Sequence, residues 1–227
     1  MAIPYGPLSL NEVLFFVTRA TVGAGAPFGL GEDVGKAAVI LATSGIDPAL
    51  AIAPALQRLE NESCSGNFDL RNDDRGVVIE AVGGHPLSAI FAASAASDWM
   101  QENAGHTDAG VTVVGVDAPV VFAAVFEALH RSAGRAQISV VEPDATETAL
   151  VISGDPAEFE RSANLTVSAG PPSTPVFANR DGHALENGIS VDADAWGIIR
   201  KMFSRCLVPS TEESRLTGAG AGLVDTD

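Results

Sequence analysis

The chain has 227 residues, of which 46% are hydrophobic and 19% charged. It is therefore long enough to bury a large core within a single domain. Thirteen Lys and Arg stand against 29 Asp and Glu, which gives a formal net charge of -16. Such a surface repels phosphate backbones and anionic lipid, so we expect neither nucleic acid nor a membrane as a partner. Solubility explains the acidic excess, and adaptation to a salty milieu is the alternative.

The first predicted element is a helix that begins after Ser9. Ser9 and Glu12 have the spacing of a capping box, in which the hydroxyl and the carboxylate each satisfy a free backbone amide. Apolar residues follow at helical spacing, which indicates a buried helix face.

A second helix is predicted from about Leu30 to Ser44, with Gly45 as its left-handed cap. Gly31 and Gly35 lie one turn apart on it. A glycine inside a helix costs up to about 1 kcal/mol relative to alanine. We therefore expect a close neighbour at this stripe.

Asp47 and Pro48 have the order of a helix cap and a first helical residue, which predicts a third helix reaching about Glu60. These patterns together predict a helical segment over residues 1–60. The polar, turn-rich stretch at 61–76 is the best internal boundary.

The remainder reads as an α/β body over residues 77–207. Apolar runs of strand length alternate with helical patterns. The predicted strands are 77–82, 111–116, 138–141, 149–153 and 165–168, and the predicted helices are 85–103, 119–133 and 194–207. The strand–helix–strand run over 111–141 predicts a right-handed crossover. The fold class is therefore α/β or α+β, with the helical segment packed on a mixed sheet within one unit, residues 1–227.

The residue pattern does not identify a cofactor, which stays unknown, and it indicates no metal. The four histidines share no metal-ligand spacing, although His130 near a helix end would complement the helix dipole if charged. The glycine runs at 23–29 and 218–222 lack the context of a phosphate loop. We therefore predict no metal site.

Two cysteines do not make a disulfide framework. Cys64 lies in a polar loop and would be accessible, whereas Cys206 falls on the apolar face of the last helix. The first ten residues lack the basic and apolar regions of a signal peptide. We expect free thiols and a cytoplasmic location.

The last twenty residues, 208–227, combine alternating glycines, a Ser-Arg pair and two aspartates around Leu223 and Val224. This pattern predicts a tail docked onto the body. A guanidinium beside free glycine amides suits an anion, and the alternative is that Arg215 pairs with Asp225, Asp227 or the terminal carboxylate and only pins the tail. The candidate ligand-binding residues are Ser214, Arg215, Gly218, Gly220, Asp225 and Asp227.

The two ends of the chain resemble a family of uncharacterised bacterial proteins filed as a domain of unknown function. The likeness is sharpest at Ser9-Leu-Asn-Glu-Val with Gly-Ala-Gly-Ala-Pro-Phe-Gly-Leu-Gly-Glu-Asp-Val-Gly-Lys-Ala, and at residues 208–227. It implies a bacterial, soluble, single-domain protein. It implies no activity and no catalytic residue.

Two classes of function fit these observations. The first is a homo-oligomeric binding or assembly protein, in which the glycine stripe and the tail serve packing. The second is a small-molecule metabolic enzyme that binds a small anionic ligand at the tail. A tail buried in a dimer interface would favour the first, and a polar pocket at the tail would favour the second.

Overall fold

A computed structural model describes residues 4–74, 76–103, 110–130, 136–142, 144–152, 155, 157, 159, 161–169, 176–177 and 183–207. Across those residues, no helix combines the length and the apolar character needed to cross a membrane.

Three helices form the first part of the chain: α1 (Leu10–Gly23), α2 (Phe28–Thr43) and α3 (Pro48–Glu60). The capping box of α1 is confirmed, since Glu12 N donates to Ser9 Oγ at 3.1 Å and Ser9 N donates to the Glu12 carboxylate at 2.8 Å. These two bonds satisfy amides that the first turn leaves free. Gly45 has φ +75° directly after α2, which agrees with its predicted role.

The glycine stripe of α2 lies against α1. A Cβ at Gly31 would stand 2.8 Å from the Thr18 carbonyl oxygen, and one at Gly35 would stand 3.0 Å from the Leu14 carbonyl oxygen and overlap the Thr18 hydroxyl. The expectation of a close neighbour is confirmed. The absence of a side chain lets the two helix backbones approach.

A six-stranded mixed sheet forms the second part, as the sequence predicted. Its spatial order is β2-β3-β4-β7-β5-β6. In chain order the strands are β2 (Phe68–Asp73), β3 (Gly76–Ala81), β4 (Gly110–Val116), β5 (Ala136–Val141), β6 (Glu147–Ala149) and β7 (Ala163–Ala169). Strands β3 and β4 are parallel, and β7 is antiparallel to both β4 and β5.

One face of this sheet builds the core beneath the helices. The register aligns a buried row across four strands, made of Val77, Val111, Val167 and Ile138. Helices α4 (Ala89–Glu102) and α5 (Pro119–His130) pack together above it, and α5 also contacts α2. In β7 alternate side chains are buried, whereas β3 buries three consecutive residues, Val77, Val78 and Ile79.

Strand order differs from the expectation at one place. Strands β4 and β5 are joined by α5 as predicted, but β7 lies between them and pairs with both. The strand–helix–strand unit over 111–141 therefore spans an inserted antiparallel strand. Nothing within residues 111–141 encodes this insertion, because β7 begins more than twenty residues later in the chain.

Three predicted boundaries are wrong. The turn-rich stretch 61–76 contains the edge strand β2, whose side chains are mostly exposed and therefore polar. The helix predicted at 85–103 begins only at Ala89, because Leu87 bridges to Val116 in extended form. The strand predicted at 149–153 lies at Glu147–Ala149.

A small two-stranded sheet, absent from the sequence-based prediction, joins the two ends of the described chain. Strand β1 (Pro4–Leu8) pairs antiparallel with β8 (Ile189–Asp192), which follows a short helix α6 (His183–Asn187) and precedes α7 (Ala193–Ser204). Helix α7 packs against α1 and α3. Asp47 Oδ2 accepts from Asp192 N at 2.6 Å, so the residue that caps α3 also holds β8. Burial raises the pKa of this carboxyl.

Candidate functional site

The site residues predicted from sequence, Ser214, Arg215, Gly218, Gly220, Asp225 and Asp227, lie outside the described residues. Their role as a ligand site stays a prediction. The site described next is made of other residues, none of which the sequence pattern singled out for binding.

The carboxyl ends of β3, β4 and β5 meet at one edge of the sheet. The three strands run in the same direction, because β3 is parallel to β4 while β4 and β5 are both antiparallel to β7. Helix α5 begins at this edge with Pro119, immediately after β4. In open α/β sheets, the carboxyl edge is where ligands most often bind.

A cleft of about 590 Å³ opens at this edge, between the ends of β4 and β5 and the start of β7. Its apolar wall is formed by Pro119, Val120, Val140, Val141, Ala149, Leu150, Val151, Ile152 and Ala163. Its polar lining consists of Gly115, Glu142, Thr148, Arg161, Ser162 and Asn164. An apolar wall with a few polar groups is the usual composition of a small-molecule site.

Asn164 is fixed at the floor of the cleft by the backbone of β4. Gly115 N donates to Asn164 Oδ1 at 2.8 Å. The register between β4 and β7 shifts between Val113 and Val116, and Gly115 has φ +66°. This bulge turns the Gly115 amide away from the ladder. Because the Asn164 oxygen accepts that bond, its NH₂ group is the part left to donate elsewhere.

The charges of the cleft are one of each sign. Arg161, two residues before β7, is the only basic residue among the described residues that line it, and Glu142 follows β5. Both residues are exposed. A guanidinium presents a planar set of donors that suits a carboxylate or a phosphate. The described lining therefore carries no net formal charge, in a chain of net charge -16.

Asp117 lies between Gly115 and Pro119 of the cleft lining, and it ties helices α3 and α4 to the end of β4. Its Oδ2 accepts from Arg58 Nε at 2.9 Å, and its Oδ1 accepts from Ala89 N, the first amide of α4, at 2.8 Å. Asp117 is only 3% exposed, so both bonds act in a region of weak screening. The end of α3 and the start of α4 are therefore held at the short connection between β4 and α5.

Cys64 lies next to this ion pair, and its predicted accessibility is wrong. The residue is 6% exposed, and burial, followed by the charge of Asp117, raises the pKa of its thiol to about 11. A thiol of this kind is protonated at neutral pH and unreactive. The polar sequence around it gave no sign of its burial beside Asp117 and Ser88.

His130 is also not the dipole-complementing cation that its position suggested. It ends α5, is 8% exposed and stacks on Phe126 with ring centroids 4.7 Å apart. Burial lowers the pKa of its imidazole, which favours the neutral ring. Among the described residues, no group of three or more His, Cys, Asp or Glu could hold a metal ion.

The signal that could have located the cleft is the run Gly115-Val-Asp-Ala-Pro119, which follows a buried strand and opens a helix. Such a run marks the carboxyl end of a strand, where ligands of open α/β sheets bind. Arg161 and Asn164 have no local signal, because only the insertion of β7 brings them there.

A family described as "Protein of unknown function (DUF3726)" matches residues 8–86 of the chain. This agrees with the resemblance seen at the N-terminal end, covers less than half of the chain and does not reach the cleft or residues 208–227. No curated protein matches the sequence.

Among solved structures, the crystal structure of malate dehydrogenase from Entamoeba histolytica is similar, with 11% identity and a TM-score of 0.45. The similarity covers 60% of this chain and 38% of that chain. A likeness this remote says nothing about activity.

Proposed function

We propose that the protein binds a small organic acid in the cleft at the carboxyl edge of the sheet. The observation that carries the proposal is the pairing of one guanidinium, that of Arg161, with an apolar wall in a cleft of about 590 Å³. Small-molecule sites occupy about 300–1,000 Å³. An acid with a short hydrocarbon body would match both parts of this lining.

Side chains that can donate hydrogen bonds also line the cleft. Ser162 lies between Arg161 and β7, Asn164 is in β7, and Thr148 lines the cleft from β6. The first turn of α5, at Pro119 and Val120, adds the partial positive charge of a helix N-terminus. Each of these groups favours an anionic or strongly polar head on the ligand.

The test is calorimetric titration of the full chain with sodium salts of unbranched mono- and dicarboxylates of three to six carbons at low ionic strength. We expect saturable binding by at least one member. Arg161→Ala should weaken it about 10- to 100-fold, because a charge-assisted hydrogen bond contributes about 1.5–3 kcal/mol.

Arg71→Ala is the matched control, since Arg71 is an exposed cation on β2, away from the residues that line the cleft. Its affinity should equal that of the wild type. If both variants lose the same affinity, the loss reflects the net charge of the protein and not a contact with Arg161. Binding that is unaffected by Arg161→Ala would refute the proposal.

The same titration distinguishes the cleft from the ligand site that the sequence predicts in residues 208–227. Arg215→Ala should lower the affinity if the anion binds at Ser214 and Arg215, and should leave it unchanged if the cleft is the site. The two substitutions therefore assign the ligand to one location.

A second candidate function is homo-oligomeric assembly, favoured by strand β2. It is an edge strand with β3 on one side, and Leu70 on it is 58% exposed. A twofold antiparallel pairing centred on Leu70 would place Asp69 of each copy opposite Arg71 of the other, and such opposite charges stabilise paired strands. Sedimentation equilibrium should then show a dimer that Leu70→Lys dissociates. A monomeric wild type, or a dimer indifferent to this change, would reject the β2 interface.

We also propose a cytoplasmic location, on the basis that Cys64 and Cys206 are both free. Unpaired thiols are typical of reducing compartments. Cell fractionation with compartment markers tests this directly, and recovery outside the cytoplasm would contradict it.

A further inference from the structure

The cleft at the carboxyl edge of the sheet holds two opposite charges that have no partner in the described part of the chain. The ion pairs found there join other side chains, and no hydrogen bond among the described residues involves the Arg161 guanidinium or the Glu142 carboxylate. Both residues line the same cleft, and both are exposed. A ligand can therefore reach both charges from solvent.

The two charges lie at the same end of the β5–β7 pair. Val141, the last residue of β5, is in register with Asn164 of β7. Glu142 follows Val141 directly, and Arg161 precedes Asn164 by three residues. A turn holds the backbone of Glu142, because its N donates to the Thr146 carbonyl oxygen at 2.9 Å. The guanidinium and the carboxylate therefore extend from neighbouring strand ends.

The apolar part of the lining is more enclosed than the charged part. Val120, in the first turn of α5, is 2% exposed, and Ile152 is 3% exposed. Val140 precedes Glu142 by two residues and also lines the cleft, so the two side chains share one face of the sheet. A ligand would therefore place its polar end between the two charges and its hydrocarbon part on the apolar wall.

A simple carboxylate would make use of only one of the two charges. Its negative group is attracted by Arg161 and repelled by Glu142, and these two contributions oppose each other. An ammonium group on the same ligand reverses the second contribution, because it pairs with the Glu142 carboxylate. Since both charges lie at one end of the β5–β7 pair, the ammonium must be next to the carboxylate, as it is in an α-amino acid.

We propose that the ligand of this cleft is a zwitterionic α-amino acid with a hydrocarbon side chain, an inference that rests on the proposed binding of an organic acid here. Arg161 binds its carboxylate, Glu142 binds its ammonium group, and the apolar wall takes its side chain. The described lining has no net formal charge, which complements a ligand whose own net charge is zero.

The test is calorimetric titration of the full chain with hexanoate, 2-aminohexanoate and 6-aminohexanoate at low ionic strength. We expect 2-aminohexanoate to bind at least about tenfold more tightly than hexanoate, because its ammonium adds a charge-assisted hydrogen bond. The 6-amino isomer should gain nothing over hexanoate, since its ammonium would lie at the apolar end of the cleft.

Glu142→Gln should weaken the binding of 2-aminohexanoate about tenfold, because the ammonium loses its counter-charge. The same substitution should leave hexanoate binding unchanged or tighter, because it removes a repelling charge. Glu32→Gln is the matched control, since Glu32 is exposed on α2 and is not one of the residues that line the cleft. Its affinities should equal those of the wild type.

Equal affinities for hexanoate and 2-aminohexanoate would overturn the inference, and so would equal losses in Glu142→Gln and Glu32→Gln. A 6-amino isomer that binds as tightly as 2-aminohexanoate would also overturn it. In each of these cases, hexanoate binding that depends on Arg161 would leave the proposed organic-acid site standing. If none of the three compounds binds saturably, the proposed function fails together with the inference.

Discussion

The Nε of Arg58 donates to Oδ2 of Asp117 at 2.9 Å, and this bond joins residues that are 59 positions apart. The Asp117 side chain is 2% exposed and that of Arg58 is 25% exposed. Because the other carboxylate oxygen accepts from the first amide of α4, one side chain connects the end of α3, the end of β4 and the start of α4. The positions of α3 and α4 next to the proposed binding edge therefore depend on this pair.

Asp117→Asn should destabilise the protein by about 1–3 kcal/mol, because it leaves the Arg58 guanidinium partly buried without its counter-charge. Urea unfolding monitored by circular dichroism measures the change. Asp33→Asn is the control: its carboxylate pairs with Lys36 at 3.0 Å, and the Lys36 side chain is 55% exposed. Exposed pairs contribute about 0–1 kcal/mol, so equal losses in the two variants would contradict a special role for Asp117.

The same substitution should make Cys64 more reactive. Burial raises the pKa of this thiol to about 11, and the negative charge of Asp117 is the next largest cause. Removing that charge should shift the pH profile of Cys64 alkylation to lower pH. The measurement uses a Cys206→Ser background, so that Cys64 is the only thiol. An unchanged profile midpoint would show that the carboxylate has no influence on the thiol.

Gly35→Ala should reduce the free energy of unfolding by about 1–3 kcal/mol through overpacking. The added methyl group would overlap the Thr18 hydroxyl and approach the Leu14 carbonyl oxygen to 3.0 Å. Gly29→Ala, on the same helix, is the control, because among the described residues no atom outside its own helix turn and its chain neighbours lies within 4 Å of its Cβ position. Alanine there should be neutral or stabilising by up to about 1 kcal/mol. If Gly35→Ala is as stable as Gly29→Ala, helices α1 and α2 are not in close contact at Gly35.

His130 should make the protein less stable in mild acid. Burial lowers the pKa of the folded imidazole below its ordinary value of 6.5. The unfolded chain therefore binds the proton first, and stability present above about pH 6.5 is lost as the pH falls through the folded pKa. Comparing urea unfolding at about pH 7.5 and 5.5, we expect His130→Gln to lose less stability than the wild type. His85→Gln, at an exposed position, should behave like the wild type. An identical pH dependence in His130→Gln would contradict this assignment.

The sequence by itself determined the features that depend on neighbours a few residues away. The Ser9–Glu12 capping box, the Asp47 cap before Pro48 and the left-handed Gly45 all have partners or constraints within one helical turn. Apolar runs of strand length likewise identified the central strands, and the spacing of Gly31 and Gly35 predicted a tight helix contact. For this reason the starts of α1 and α3 and the mixed-sheet class were predictable.

Tertiary structure alone decided the order of the strands, and with it the candidate site. The insertion of β7 between β4 and β5 brings Arg161 and Asn164 to Gly115, and the pairing of β1 with β8 joins the two ends of the described chain. Likewise, the burial of Cys64 depends on helices that flank a polar loop. These contacts join residues far apart in the chain, and their free energy comes from the burial of shared surface, which no short stretch of sequence records.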